Sequence, residues 1–231
     1  MTLDLSQRLT EIQQKIHIAC TESGRQSSEI TIVAVTKTFP SNVIAQALVA
    51  GLRHIGENRI QEAERKVDTV RGQGVFHLIG NLQSNKAKKA VSLFDWIQTI
   101  DDDEIAAEIS KRASEQGRSL QVLLAVNSSG EPQKHGAEPG EILKLAGRVM
   151  TLPQLSLRGL MTVGPLTEDS SHIQRAFAET YSLYEKLKIE CGPQIDTLSM
   201  GMSDDYELAI SQGSTMLRLG SVLFGRRESR V

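Results

Sequence analysis

A lysine that follows a short apolar segment is the first candidate for chemistry in this sequence. Residues 31–35 are rich in β-branched side chains, which predicts a buried strand, and Lys37 lies just beyond them. We therefore expect the stem of Lys37 to be buried and its amine to face the end of the strand. A partly desolvated amine has a lowered pKa and can attack carbonyl groups to form a Schiff base. A solvated lysine that closes a strand is the alternative.

Two turns rich in glycine and serine are the second candidate. Residues 199–203 form one turn and Gly220 with Ser221 forms the other, and each leads into a predicted helix, the first capped by Ser203 and Asp204. Glycine lets the backbone approach a ligand closely, and the N–H groups of a helix N-terminus attract phosphate. Ordinary turn chemistry is the alternative, because glycine and serine are common turn residues.

Arg218 lies just before the second turn and is the third candidate. Arginine stays protonated at any relevant pH, so it would donate to a pyridine nitrogen and leave that nitrogen unprotonated. A structural salt bridge with an acidic neighbour is the alternative. A ligand that carries both an aldehyde and a phosphate would join Lys37 to the two turns, and pyridoxal phosphate is such a ligand.

Short apolar runs that alternate with helix-like segments predict how these residues are positioned. Eight runs are expected to be strands: residues 31–35, 54–56, 75–80, 96–100, 120–127, 157–163, 197–201 and 216–219. An amphipathic N-terminal helix is expected to end near Gly24, and residues 170–191 are expected to form a long helix. This alternation predicts an α/β fold, a single (β/α)8 barrel of TIM type over residues 1–231. An open doubly wound sheet is the alternative, and the lack of a G-x-G-x-x-G motif weighs against it.

The composition is that of a folded globular protein. Hydrophobic residues make up 39% and charged residues 23%, as in folded globular chains, and the net charge of −2 gives no general attraction to nucleic acid or membrane. No targeting segment and no apolar run of spanning length is found, so a cytoplasmic location is expected. The 2 cysteines make no disulfide framework, and the 5 histidines lack metal-ligand spacing.

Six motifs together resemble the YggS/PROSC family of pyridoxal phosphate homeostasis proteins, whose barrel is similar to that of alanine racemase. They are residues 33–37, 56–59, 77–80 together with 82–86, 159–162, 199–203 and 218–226. The resemblance implies that Lys37 holds pyridoxal phosphate as an internal aldimine, that Arg218 faces the pyridine nitrogen, and that Asn58 lies close to the ring. It assigns the phosphate to Ser203, Gly220 and Ser221, with help from Met200 and Gly201.

The resemblance also implies a role in vitamin B6 balance and in amino- and keto-acid pools, without robust catalysis. The alternatives are a pyridoxal phosphate enzyme with weak racemase-like activity, and a barrel aldolase that uses Lys37 on a phosphorylated sugar. The racemase has a second domain and a tyrosine base, whereas this sequence ends soon after its eighth predicted strand and nothing marks Tyr181, Tyr184 or Tyr206 as a base. We therefore expect a monomer that exchanges pyridoxal phosphate, with apoenzymes as candidate recipients and no catalytic residue or metal ligand.

Overall fold

The computed structural model describes residues 4–67, 70–128, 131 and 135–225, and these residues form a closed barrel. Its strands are all parallel and follow one another around the barrel in sequence order, and the first pairs with the last. The described strands are β1 (Thr31–Val35), β2 (His54–Glu57), β3 (Val75–Leu78), β4 (Trp96–Ile100), β5 (Leu120–Ala125), β6 (Leu155–Met161), β7 (Thr197–Ser199) and β8 (Met216–Leu219). The predicted (β/α)8 barrel is confirmed, and the open sheet is wrong.

Helices cover the outside of the barrel. Those in the described ranges are α1 (Leu5–Glu22), α2 (Ser41–Val49), α3 (Ile60–Val67), α4 (Ala87–Leu93), α5 (Asp103–Gln116), α6 (Ile142–Val149), α7 (Ser170–Cys191), α8 (Tyr206–Ser211) and α9 (Ser221–Phe224). Short 3₁₀ turns lie at Ser27–Glu29, Ser84–Lys86 and Pro139–Glu141. The long helix α7 has the predicted bounds, and the Asp169 carboxylate caps it by accepting from the backbone N–H groups of Ser171 and His172.

Strand β6 passes unusually close to β7 at a glycine. The strand begins two residues before the predicted segment 157–163 and ends at Met161. Gly159 has a φ of +147°, and a Cβ at this position would lie 1.9 Å from the carbonyl oxygen of Thr197. Only glycine can therefore occupy this point of the barrel wall.

Helix α1 packs against α8 and α9. The apolar stripe predicted for this helix is Leu5, Leu9, Ile12, Ile16 and Ala19, and all of it is buried except Leu5, which is half-buried. Cys20, which was not part of the predicted stripe, is buried as well. Arg8 donates from Nη1 to the carbonyl oxygen of Leu223 at 3.2 Å. Arg25, just beyond α1, donates from Nη1 to the carbonyl oxygens of Ile210 (3.1 Å) and Ser214 (2.8 Å). Side-chain hydrogen bonds from α1 and from the segment just after it thus reach the region of α8 and α9.

The barrel interior contains both apolar and polar side chains. Alternate residues of each strand point inward, and Leu123, Ala125 and Met161 form an apolar cluster there beside Trp96. The buried polar side chains include His77, Gln98, Ser199 and Arg218. Branched apolar residues usually fill such a barrel, so each buried polar group needs a specific hydrogen-bond partner.

The described residues contain no membrane-spanning helix and no cluster of metal-ligating side chains. None of their helices combines the length and the apolar character needed to cross a membrane. Their side chains form no group of three or more histidine, cysteine or acidic residues suited to a metal ion. Cys20 is buried and Cys191 partly buried, and both are free thiols.

Candidate functional site

The residues predicted to bind a cofactor lie at the carboxyl ends of neighbouring strands. Lys37 follows β1, Asn58 follows β2 and Arg218 lies on β8. Because β1 pairs with both β2 and β8, these three residues are brought to one side of the barrel mouth. The other predicted residues lie in the turns after β7 and β8: Met200, Gly201, Ser203, Gly220 and Ser221. Arg226, the last residue of its motif, lies outside the described residues.

The hydroxyl of Ser203 joins the two predicted phosphate turns. Its Oγ accepts hydrogen bonds from the backbone N–H groups of Gly220 (3.2 Å) and Val222 (3.3 Å). Ser221 begins the short helix α9 between these two donors and is exposed. The start of α9 therefore presents backbone donors to an oxygen acceptor, and a side chain supplies that acceptor here.

Gly201 and Met200 shape the turn after β7. Strand β7 ends at Ser199, before the predicted end at residue 201, because Gly201 has a φ of +95°. A Cβ on Gly201 would lie 2.6 Å from the Cβ of Ala209. Met200 is fully buried, and its N–H donates to the carbonyl oxygen of Met216 at 3.2 Å. Any help that Met200 gives to a phosphate must therefore come from packing, not from its backbone N–H.

Helix α8 begins later than the sequence predicts. Its N-cap is Asp205 and its first residue is Tyr206, so the prediction that Ser203 and Asp204 cap this helix is wrong. The Asp205 carboxylate accepts from the backbone N–H of Met202 at 2.5 Å, which closes a turn before the helix starts. This turn leaves Ser203 available to bond with the neighbouring turn.

Arg218 is held by neutral oxygen atoms. Its Nη1 donates to both the carbonyl oxygen and the Oγ of Ser199, each at 2.8 Å, and its Nη2 donates to the carbonyl oxygen of Thr162 at 2.7 Å. Residue Arg218 is 4% exposed, and burial lowers the pKa of Arg218 to about 10, although the charge of Asp205 opposes the shift. No carboxylate of the described residues forms an ion pair with it, so the predicted salt-bridge alternative is wrong. Arg218 remains a cation at neutral pH.

Residues on both sides of Lys37 are fixed by hydrogen bonds to α3. The carbonyl oxygen of Thr36 accepts from Nζ of Lys66 at 2.8 Å, and the backbone N–H of Thr38 donates to the Glu62 carboxylate. Thr38 has a φ of +70°, which a non-glycine residue adopts only when its surroundings hold it there. Lys37 itself is half-buried. The backbone that carries this amine therefore has one defined conformation.

A buried ion pair underlies this segment. Glu57 is fully buried at the end of β2, and its Oε1 accepts from Nζ of Lys66 at 2.8 Å and from Oγ1 of Thr36 at 2.6 Å. Burial raises the pKa of Glu57, and the hydrogen bonds from Lys66 and Thr36 oppose that shift. No pattern in the sequence predicts this pair, because a lysine on a helix is ordinarily solvated. Lys66 also bonds Glu62 at 2.6 Å.

Asn58 presents an unsatisfied acceptor at the mouth. Its side-chain Oδ1 is buried, and no described residue donates to it. The backbone of Asn58 packs closely on the next strand end, since a Cβ on Gly80 would lie 2.2 Å from the Asn58 carbonyl oxygen. A buried acceptor without a donor costs free energy unless a ligand or water supplies the donor.

A cavity of about 260 Å³ opens at the ends of β3 to β6. Its polar lining consists of Asn81, Thr99, Asp101 and His135. Burial and the charge of Asp102 raise the pKa of Asp101, and the charge of His135 opposes the shift. The cavity has room for a small molecule. It could not be predicted from the sequence, because its lining comes from four separate strand ends.

Tyr184 and Tyr206 are poorly suited to act as bases. Tyr184, on α7, donates from its hydroxyl to the carbonyl oxygen of Ile195 at 3.3 Å. Burial raises the pKa of Tyr184 and of Tyr206 to about 12 in each case. A phenol with so high a pKa is protonated at neutral pH and cannot accept a proton.

Comparisons with known proteins agree over nearly the whole chain. A family model described as alanine racemase, N-terminal domain, matches residues 9–228. The pyridoxal phosphate homeostasis protein of Pasteurella multocida is 41% identical over 230 residues, which cover 98% of this chain and 99% of that protein. The structure of PipY from Synechococcus elongatus PCC7942 with PLP bound is 34% identical, with a TM-score of 0.83 over 96% of this chain and 100% of PipY. An alanine racemase of Clostridium difficile is 17% identical, with a TM-score of 0.76 over 98% of this chain and 57% of the racemase, and shares the fold alone.

These comparisons test the predicted resemblance directly. The likeness to pyridoxal phosphate homeostasis proteins rested on six motifs, and it is confirmed by the identity to the Pasteurella protein. The likeness to the racemase barrel is confirmed at the level of the fold. Because the family model matches far more than half of it, the chain belongs to the family of alanine racemase N-terminal domains.

Proposed function

We propose that this protein binds pyridoxal phosphate at the mouth of its barrel and acts in intracellular pyridoxal phosphate and amino- and keto-acid homeostasis, without robust catalysis. One observation carries the proposal: Ser203 joins two backbone donors at the start of α9, beside the strand ends that hold Arg218 and Lys37. An anion site, a fixed cation and an amine thus lie on adjacent strands. The relatives support the proposal, since they are named pyridoxal phosphate homeostasis proteins and PipY binds PLP.

The donors at the mouth fit the chemistry of pyridoxal phosphate. The phosphate would be held by the backbone N–H groups of Gly220, Ser221 and Val222 and by the hydroxyl of Ser203. Phosphate oxygens accept hydrogen bonds from such groups. Ser203 Oγ already accepts from two of these N–H groups, so an oxygen acceptor suits them. Pyridoxal phosphate, when bound, supplies an aldehyde that combines reversibly with amines. Lys37 would supply the amine for its attachment.

Three other predicted residues would support the ligand without covalent contact. Asn58 would offer its buried Oδ1 as an acceptor, which satisfies an atom that has no partner among the described residues. Gly201 would contribute its positive φ, which brings the turn close to α8. Met200 would pack beneath the turn from its fully buried position.

Arg218 favours a carrier over an enzyme. With a pKa of about 10 it stays protonated at neutral pH, so it would donate to the ring nitrogen and share no proton with it. An unprotonated ring nitrogen withdraws electrons weakly, which limits carbanion chemistry at the ligand. The pKa values of Tyr184 and Tyr206, about 12, also disfavour either phenol as the second base that a racemase needs.

A weak racemase-like enzyme is the second candidate, and the cavity beside Asp101 favours it. This space of about 260 Å³ could admit a small amine next to the ligand. Asp101 and His135 line that cavity, and carboxyl and imidazole groups are common general acids and bases.

We further propose the cellular setting of this function. The chain would form a single pyridoxal phosphate-binding domain over residues 1–231 and work as a monomer in the cytoplasm. Apoenzymes that need pyridoxal phosphate would receive it from this protein. The motif match over nearly the whole chain and its balanced charge of −2, which attracts neither nucleic acid nor membrane, support this setting.

The attachment of pyridoxal phosphate to Lys37 tests the proposal. The protein loaded with pyridoxal phosphate should absorb visible light, and borohydride should bleach that absorbance and add the ligand's mass to a peptide that contains Lys37. The Lys37→Ala variant should lose both signals. Lys89→Ala is the matched control, because Lys89 is an exposed lysine that pairs with Glu64 far along the outer surface, and it should keep both. A borohydride adduct found elsewhere in the wild-type chain, with none at Lys37, would overturn the assignment.

Turnover separates the two candidate functions. The carrier should transfer bound pyridoxal phosphate to an apoenzyme faster than it releases the ligand to solution. It should also convert D- and L-amino acids far more slowly than ~1 per second, an ordinary enzyme rate. Conversion at or above that rate would favour the enzyme.

A further inference from the structure

A continuous line of hydrogen bonds crosses the barrel interior and ends on Arg218. Nη1 of Arg218 lies 2.8 Å from Oγ of Ser199, and that Oγ lies 2.7 Å from Oε1 of Gln98. Nε2 of Gln98 lies 2.9 Å from Nδ1 of His77, and Nε2 of His77 lies 2.9 Å from Nδ1 of His54. All members except His54 are buried, and His54 is the first residue of β2. The line thus runs from the binding mouth toward the amino ends of the strands.

Arg218 sets the direction of every hydrogen bond in this line. A guanidinium can only donate, so Ser199 Oγ accepts from it, and the Ser199 hydroxyl proton points to Oε1 of Gln98. The amide group of Gln98 then donates to Nδ1 of His77. His77 must therefore carry its proton on Nε2, from which it donates to Nδ1 of His54.

The opposite direction is unfavourable for two reasons. If the amide of Gln98 were turned over, its NH₂ group would face Ser199 Oγ, and the Ser199 hydroxyl proton would have no acceptor in the line. In addition, Nε2 of Gln98 lies 3.2 Å from Sδ of Met216, a weak acceptor that suits an NH₂ group. Turning the amide over would place a carbonyl oxygen against that sulfur.

The surroundings of both histidines favour the neutral imidazole, which the line requires. His77 is fully buried and stacks on Trp96, with ring centroids 5.2 Å apart and an interplanar angle of 19°. Burial lowers the pKa of His77 well below its usual range, and the charge of His54 lowers it further. Burial also lowers the pKa of His54. A protonated ring at either position would lose the Nδ1 acceptor and break the line.

We propose that Ser199, Gln98, His77 and His54 are positioning residues that form a one-directional hydrogen-bonded line and hold the Arg218 guanidinium in place for its ligand. The part of this inference that concerns a ligand rests on the proposed function above. The direction of the hydrogen bonds and the positioning of Arg218 do not depend on the proposed function. Because the line uses one Nη1 proton and the Ser199 and Thr162 carbonyl oxygens use two others, two of the five N–H donors of Arg218 are not used by these bonds and could donate to a ligand.

Nitrogen-15 NMR of the protein without added pyridoxal phosphate tests the direction. His77 and His54 should both be neutral, with the proton on Nε2 and an unprotonated Nδ1. A proton on Nδ1 of His77 would overturn the inference. In Gln98→Glu, a carboxylate oxygen would face Nδ1 of His77, so that nitrogen should gain a proton. An unchanged Nδ1 signal in a folded Gln98→Glu variant would also contradict the line.

The Ser199→Ala variant tests the fixing of Arg218. Removing Oγ should speed solvent exchange of the Arg218 side-chain protons about tenfold, because a hydrogen bond to a charged group of this kind is lost. Pyridoxal phosphate affinity should fall by a similar factor, and Ser199→Thr, which keeps the hydroxyl, should restore both. Ser110→Ala is the matched control, because Ser110 is a buried serine on α5 that donates to the carbonyl oxygen of Pro153 at 2.7 Å.

The outcomes separate this inference from the proposed function. Unchanged Arg218 proton exchange in Ser199→Ala would overturn the positioning role whether or not the protein binds pyridoxal phosphate. If exchange responds as expected but the wild type binds no pyridoxal phosphate, the proposed function fails and the positioning of Arg218 stands.

Discussion

The substitution Lys66→Met tests whether the buried lysine on α3 stabilises the backbone next to Lys37. Nζ of Lys66 donates to the Glu57 and Glu62 carboxylates and to the carbonyl oxygen of Thr36, at 2.6 to 2.8 Å. Methionine fills a similar volume but cannot donate. The substitution therefore leaves the Glu57 carboxylate buried with only the Thr36 hydroxyl as a donor among the described residues.

The burial of both partners sets the size of the effect. The side chains of Lys66 and Glu57 are 7% and 0% exposed, so solvent cannot replace the lost ammonium. Removing one partner of a buried ion pair costs about 3–5 kcal/mol of unfolding free energy, which corresponds to a fall of roughly 10 °C in Tm for a chain of this size. The exposed pair of Lys89 and Glu64 gives a matched control, since Lys89→Met should cost less than about 1 kcal/mol.

The loss of unfolding free energy in Lys66→Met should be larger at neutral pH than at acidic pH. Burial raises the pKa of Glu57 and Lys66 opposes that shift, so the pKa rises further in Lys66→Met. A carboxyl group with a raised folded-state pKa contributes stability that is present below its unfolded pKa and is lost as pH rises through the folded pKa. The deficit of Lys66→Met should therefore be largest at neutral pH and shrink as pH falls toward about 4.3, the value of an unfolded glutamate.

Urea unfolding of the two variants across this pH range is the assay. The double variant Lys66→Met, Glu57→Gln should recover part of the loss at neutral pH, because the buried charge is then absent. A loss below about 1 kcal/mol in Lys66→Met, or a deficit that does not change with pH, would refute the reasoning.

Three other substitutions or titrations test separate features of the fold. Gly159→Ala should lower the unfolding free energy by about 3 kcal/mol, since its Cβ would lie 1.9 Å from the Thr197 carbonyl oxygen, and an unchanged Tm would contradict this close approach. Asp102→Ala should cost about 1 kcal/mol in urea unfolding, because the Asp102 carboxylate caps α5 at 2.7 Å, and a neutral effect would contradict the cap. Tyr184 and Tyr206 should ionise only near pH 12 in an ultraviolet titration of the folded protein, and earlier ionisation would mean that these hydroxyls are not buried.

The barrel could be predicted from sequence because its signals are local. Strand β4 and helix α7 have the predicted bounds, since runs of apolar residues and a helical period mark each of them. Once the strands are placed, their carboxyl ends define the mouth, and Lys37 and Arg218 follow from position alone. The start of α8 was missed because the Asp205 side chain closes a turn with Met202, which no apolar pattern encodes.

The polar interior could not be predicted in this way. Glu57 and Lys66 meet because α3 folds back over the end of β2, and a charged residue on a helix gives no sign of burial. His54, His77 and Gln98 come from three different strands, so their alignment depends on the register of the closed barrel. Spacing along the chain identifies metal-type clusters but not a hydrogen-bonded line across strands.

The pairing of β1 with β8 has a consequence for the biogenesis of the protein. As the nascent chain leaves the ribosome, β1 has no partner for one of its edges until β8 has also emerged, and α1 waits for α8 and α9. Until then the growing sheet exposes an unpaired edge, which is where misassembly with other chains begins. Closure of the barrel is therefore a late step that joins residues far apart in the sequence. Chaperones that bind exposed strand edges should reduce misassembly most in the interval just before closure.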